Sequence, residues 1–98
     1  NEIIAMDSLS AVGNKLLVQL YNSKQDWAKV AELGGVAAAL QATPEEQSDL
    51  YYMQGAALSN SDKLNEAIEA YKKVVAGNNV ANAADQIKAL QAVIASKK

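Results

Sequence analysis

Three features of this sequence predict an all-α fold of five antiparallel helices. Apolar residues recur at three- and four-residue spacing through nearly the whole chain. No segment alternates with period two, so the short β-branched runs do not read as strands. The breaks between the periodic stretches are polar and short, and short connections make successive helices antiparallel neighbours.

The first helix is expected from about Glu2 to Tyr21, with Ile3, Met6, Leu9, Gly13, Leu16, Leu17 and Leu20 on one face. That is more apolar positions than one neighbour needs, so the helix is expected to pack on an upstream element that is missing here. Exposure of Ile3, Ile4 and Leu9 would favour the end of a longer solenoid that serves in capping or dimerisation, the homodimer forming through this helix. Asn22-Ser23-Lys24-Gln25 is a polar break. The second helix is expected from about Asp26 to Ala42, capped by Asp26, with a stripe of Trp27, Val30, Leu33, Ala37 and Leu40. Gly34-Gly35 lies inside it. Each glycine costs a helix about 1 kcal/mol against alanine, so the pair is read as a close approach of a neighbouring helix, with a hinge as the alternative.

Thr43-Pro44-Glu45-Glu46 is the clearest helix start. Thr43 can accept from a free backbone N–H, Pro44 suits the first helical position, and Glu46 completes a capping box. The acidic pair suits the positive helix end. The third helix is expected to run to about Ser59. Asn60-Ser61-Asp62 is the next turn, with Asp62 or Ser61 as cap. The fourth helix has the strongest period: Leu64, Ala67, Ile68, Tyr71, Val74 and Val75, with Glu66, Glu69, Lys72 and Lys73 on the other side. Glu69 and Lys73 stand four apart in the favourable order, and Gly77 is expected to end the helix. The fifth helix is expected over about Val80 to Ser96, with Val80, Ala84, Ile87, Leu90 and Ile94 as its stripe. Lys97-Lys98 suits its C-terminus.

Ninety-eight residues is one domain. Half are hydrophobic, but much of that share is alanine and there is no Phe, so the core is expected to be thin. The formal charge is −2 and no Arg is present. Nucleic-acid binders carry basic faces, so that class is not expected. The lysines are scattered, which argues against an anionic-membrane patch. There is no run of about 18 apolar residues, so no direct membrane insertion is expected. Neither Cys nor His occurs, which removes thiol chemistry, the commonest general base and the commonest metal ligand. The compartment stays open on these grounds. No signal peptide is visible. The start without Met reads as a trimmed or processed form, which tilts the expectation to the bacterial periplasm or cell envelope over the cytoplasm.

Each candidate for chemistry has a plainer explanation. Capping accounts for Glu45-Glu46, and a solvated face accounts for Glu66 and Glu69. Gly34-Gly35 is not followed by the Gly-Lys-Ser/Thr of a phosphate loop. The serines have no His partner, and no calcium-loop spacing appears. No catalytic residue, cofactor or metal is assigned, and the protein is not expected to be an enzyme.

Tyr51, Gly55, Leu58, Ala67 and Tyr71 are spaced as in a known helical repeat. This stretch resembles the tetratricopeptide repeat (TPR), a helix–turn–helix unit of about 34 residues. Gly55 and Ala67 would let the two helices of the unit approach; Tyr51, Leu58 and Tyr71 would supply the surrounding volume, and Leu64 would plug the turn. The sequence departs from the family at Gln54, where Leu is preferred, and at Asn79, where Pro is common. A weaker copy precedes it. Leu17, Tyr21, Trp27 and Val30 align with Gln54, Leu58, Leu64 and Ala67 at a constant offset of 37. Val18 falls where Gly55 sits and Gly34 where Tyr71 sits, so large and small are exchanged. The resemblance thus implies a single domain, 1–98, with a degenerate repeat over about 9–42, a repeat over about 48–79 and a capping helix over about 80–96, stacked as a right-handed α-α superhelix. The alternative fold is a simple helical bundle without a superhelical groove.

The resemblance also implies a function. In the family the first helix of each unit lines a concave surface that holds an extended peptide or a partner helix. Carried over, that surface includes Lys15, Gln19 and Asn22 from the first unit, and Tyr52, Ala56, Ser59 and Asn60 from the second. Tyr52 is the expected anchor, with packing on a neighbouring helix as its other reading. Some members clamp a peptide carboxylate with several basic and amide groups; Lys15 and Gln19 are a faint echo of that set, and a mildly polar peptide suits this surface better. The reading is a non-catalytic protein–protein interaction module, and the alternative is the C-terminal cap or self-association element of a longer helical solenoid.

Overall fold

Two helix starts in this chain coincide with side chains that take up free backbone N–H groups. In a computed structural model, which describes the backbone of residues 2–97 and the side chains of residues 11–96, five helices follow in order. They are α1 (Glu2–Ser23), α2 (Trp27–Leu40), α3 (Pro44–Asn60), α4 (Leu64–Lys72) and α5 (Val80–Lys97), with no strand among the described residues. Asp26 caps α2 by accepting from the Lys29 N–H at 3.4 Å. Thr43 caps α3 by accepting from the Glu46 N–H at 3.3 Å, with Pro44 at the first position. The expectations placed on the side chains of Ile3, Ile4, Met6, Leu9 and Lys97-Lys98 fall outside the described residues.

The helices pack in chain order, α1 on α2, α2 on α3, α3 on α4 and α4 on α5, with lesser contacts of α1 with α3 and α3 with α5. Two clusters form the core. Val18, Val30, Ala37, Ala38, Leu50 and Ala57 join α1, α2 and α3. Leu58, Ala67, Ile68, Tyr71, Val74 and Leu90 belong to the cluster that joins α3, α4 and α5. Ala31 and Tyr51 pack against both. Fully burying a Leu or Val side chain contributes about 1.5–3 kcal/mol, and Val18, Val30 and Leu50 are the large apolar side chains wholly shielded. The alanines instead let backbones approach.

Two glycines do the same more sharply. A Cβ on Gly34 would lie 2.9 Å from the Gln54 Cβ, so α2 and α3 touch almost backbone to backbone. A Cβ on Gly55 would lie 2.8 Å from the Tyr71 ring. The Gly34-Gly35 pair therefore marks a close approach, and α2 runs through it unbroken.

Buried polar groups tie the turns to the helices. The Gln41 amide donates to the carbonyls of Ala11 and Ala37, at 3.0 Å each. The Gln47 amide donates to the Gln41 carbonyl. The Ser48 hydroxyl, fully buried on α3, accepts from the N–H groups of Val75 and Ala76 at 3.1 Å. The Gln54 amide donates to the Ala31 carbonyl at 2.9 Å. Among the described residues no buried side-chain nitrogen or oxygen lacks a partner, as a stable core requires.

The structure corrects several expectations. Val18 carries the buried face of α1, while Leu16, Leu17 and Leu20 are exposed. In α5 the buried small residue is Ala83, and Val80 and Ala84 are exposed. Lys63 is the residue before α4, with no side-chain cap; Asp62 takes a positive φ of 62° in the turn. Helix α4 stops at Lys72, because Ser48 captures the next free N–H groups, and Gly77 (φ 86°) sits in the following loop instead of at the helix end. Glu69 pairs with Lys72 at 3.8 Å, and the Lys73 ammonium lies over the Tyr51 ring at 5.3 Å.

A candidate peptide groove

Lys15 and Gln19 are one turn apart on α1, and Tyr52 is on α3 beside it. The structure brings these three together. They line a hollow of about 460 Å³ with Asp49, Leu50 and Met53 of α3 and Asn78 and Asn79 of the last loop. The loop reaches the hollow because Gly77 adopts a left-handed backbone and turns it back toward α3. Asn79 is then held by its amide, which donates to the Asp49 carboxylate at 3.1 Å.

Tyr52 packs on a neighbouring helix, as its second sequence reading has it, and also borders the hollow. Its ring meets Tyr71 of α4 edge-on, with centroids 5.3 Å apart and planes at 62°. Edge-to-face pairs add about 0.5–1.5 kcal/mol beyond their burial, so Tyr52 is an oriented aromatic surface. Its partner Tyr71 is 3% exposed. Burial pushes the Tyr71 phenol up from 10.0 to about 12, with a smaller contribution from neighbouring Tyr52.

The remaining residues of the expected surface lie elsewhere. Asn22 is half-buried at the C-terminal end of α1. Ser59 is half-buried and Asn60 exposed at the C-terminal end of α3. None of the three lines this hollow. Asp49, Leu50, Met53, Asn78 and Asn79 were not among the surface residues expected from the sequence. Asp49 was within reach of it, since it stands three residues before Tyr52 and shares its face.

The hollow carries one Lys and one Asp with several amides around an aromatic and apolar floor. Such a lining can hydrogen-bond an extended backbone and shelter one apolar side chain. Other concavities are present among the described residues. One of about 720 Å³ runs between α2 and α4 over α3, edged by Glu32, Lys63, Glu66, Glu69 and Lys73. One of about 550 Å³ lies between α4 and α5, around Ile68 and Ile94. Among the described residues no three His, Cys, Asp or Glu converge as a metal ion needs, and no helix is long and apolar enough to cross a membrane. No protein-family profile matches this chain, and no curated protein or solved structure is detectably similar to it.

Proposed function

We propose that this chain is a TPR-like, non-catalytic interaction module that holds a mildly polar peptide or partner helix in the groove between α1 and α3. The observation that carries this reading is the convergence of Lys15, Gln19 and Tyr52 on one hollow. Lys15 and Tyr52 stand 37 residues apart, the offset that relates the two units in this reading. Gly55 against Tyr71, and Ala67 fully buried beside them, fit the close helix approach of that repeat. The departure at Gln54 has a compensation, because its amide reaches the Ala31 carbonyl where Leu would only pack. In this reading the stack is a right-handed superhelix, Tyr52 anchors an apolar side chain, and Asp49 and Lys15 read polar groups on either side.

Selection from a random peptide library on the immobilised protein tests the proposal. Peptides should be enriched that lose at least tenfold in affinity to the Tyr52→Ala variant and less to Lys15→Ala. A library that yields no peptide above background, or peptides indifferent to both substitutions, would rule the groove out.

One observation favours the capping reading for the far end. Thirty-seven residues beyond Tyr51, Gly55 and Leu58, whose face meets α4, stand Lys88, Ala92 and Ala95 of α5, all exposed. A small and polar outward face is what a terminal helix needs.

A further inference from the structure

We infer that α5 regulates the groove: the groove is complete only while α5 is docked on α4, so peptide binding and the seating of α5 strengthen each other. The inference rests on the groove reading above and names how that site is controlled.

The chain between α4 and α5 is a short strap drawn across α3. Near its start the N–H groups of Val75 and Ala76 are held by the Ser48 hydroxyl at 3.1 Å. In its middle Gly77 lies against Glu45, where a Cβ would come within 3.7 Å of the Glu45 Cβ, and its φ of 86° turns the chain back. At its end the Asn79 amide donates to the Asp49 carboxylate at 3.1 Å, while the Asn79 carbonyl accepts from the Ala83 N–H of α5 at 2.8 Å. An asparagine in this place commonly turns its side-chain oxygen onto the helix that it precedes. Here the side-chain nitrogen reaches α3 instead, so one residue joins the wall of the groove to the start of α5.

A second route runs through the core. Leu90 of α5 and Tyr71 of α4 share one buried cluster, and the Tyr71 ring meets Tyr52 edge-on. Tyr52 and Asn79 line the same hollow. Lifting α5 off α4 loosens the groove at its loop wall and at its aromatic surface together.

Helix α5 is suited to such a role. It packs on α4, with only a lesser contact on α3, and among the described residues it does not touch α1. With α5 undocked, Lys15 and Gln19 keep their place while Asn78 and Asn79 lose theirs. A peptide that touches both sets binds the docked state more tightly, and linkage makes the effect mutual.

The test measures amide exchange and peptide affinity together. Asn79→Ala should quicken exchange from Ala83 to Ile87 and leave Val30 and Leu50 in the core unchanged. A peptide selected on the protein should slow exchange from Ala83 to Ile87 when bound. Leu90→Ala weakens the seat of α5 without touching the hollow, and its affinity for that peptide should fall about fivefold or more, the usual scale of coupling between sites. Where circular dichroism shows that Leu90→Ala does not fold, Ile94→Ala, half-buried near the far end of α5, takes its place. Peptides that bind the groove of a folded α5 variant as tightly as the parent would overturn this inference alone. So would exchange in α5 that is indifferent to both Asn79→Ala and bound peptide. A library that yields no peptide would overturn the groove reading and this inference with it.

Discussion

Gly55 of α3 lies flat against the ring of Tyr71 on α4, so near that a Cβ would fall 2.8 Å from the ring carbons. The ring has nowhere to retreat, being 3% exposed and met edge-on by Tyr52. Gly55→Ala should therefore cost about 1–3 kcal/mol by overpacking, despite the gain in helix propensity. Urea unfolding measures it. A Gly55→Ala/Tyr71→Leu double variant should recover part of the loss, and strict additivity of the two changes would contradict the contact.

The two neighbouring glycines of α2 should behave differently. A Cβ on Gly34 meets the Cβ and Cα of Gln54, which cannot swing away. A Cβ on Gly35 meets only the Gln54 side-chain amide, at 3.0 Å. Gly34→Ala should destabilise by about 1–3 kcal/mol. Gly35→Ala should lie within about 1 kcal/mol of neutral, since the propensity gain offsets the shift of one amide. Thermal melts of the two variants give the order.

Ser48 is expected to matter more than its size suggests. Its hydroxyl accepts two backbone N–H groups, from Val75 and Ala76. Ser48→Ala leaves both without a partner in a part-buried place and should cost about 1–3 kcal/mol. Amide exchange should quicken at Val75 and Ala76 first. Unchanged exchange there would mean that water replaces the hydroxyl.

The Tyr71 phenol imposes a pH dependence. Its folded value is pushed up to about 12 by burial, with help from Tyr52, against 10.0 in the open chain. Between those values the unfolded chain loses the proton and the folded chain keeps it, so the unfolded state binds fewer protons and stability falls as pH rises. The contribution is fully present below pH 10 and is lost as pH climbs through about 12. At about 1.4 kcal/mol for each unit, the loss is about 2–3 kcal/mol. Tyr71→Phe should flatten this fall in denaturant midpoints measured from pH 9 to 12, and an identical slope in the variant would contradict it.

Helix existence was legible because each helix has a long apolar period or a strong start signal, as with Thr43-Pro44 and the run from Leu64 to Tyr71. Which face each helix buries was less so. On α1 the leucines outweigh Val18 in any count of apolar residues, yet neighbours choose the buried side, and those neighbours are far along the chain. The end of α4 was misread for a similar reason, since Ser48 acts from 27 residues away on Val75. Of the residues lining the hollow, Lys15, Gln19 and Tyr52 are ones that the family resemblance implies. Asn78 and Asn79 are not, because their place depends on the positive φ of Gly77 and on the Asp49 carboxylate.

We propose that a peptide binds in the hollow between α1 and α3. The most direct measurement is a map of backbone amide shifts of the labelled protein as a library-selected peptide is added. The changes should centre on Lys15, Gln19, Asp49, Tyr52 and Asn79. Changes centred on Ile68 and Ile94 between α4 and α5, or on the α2–α4 face around Lys63 and Lys73, would contradict it.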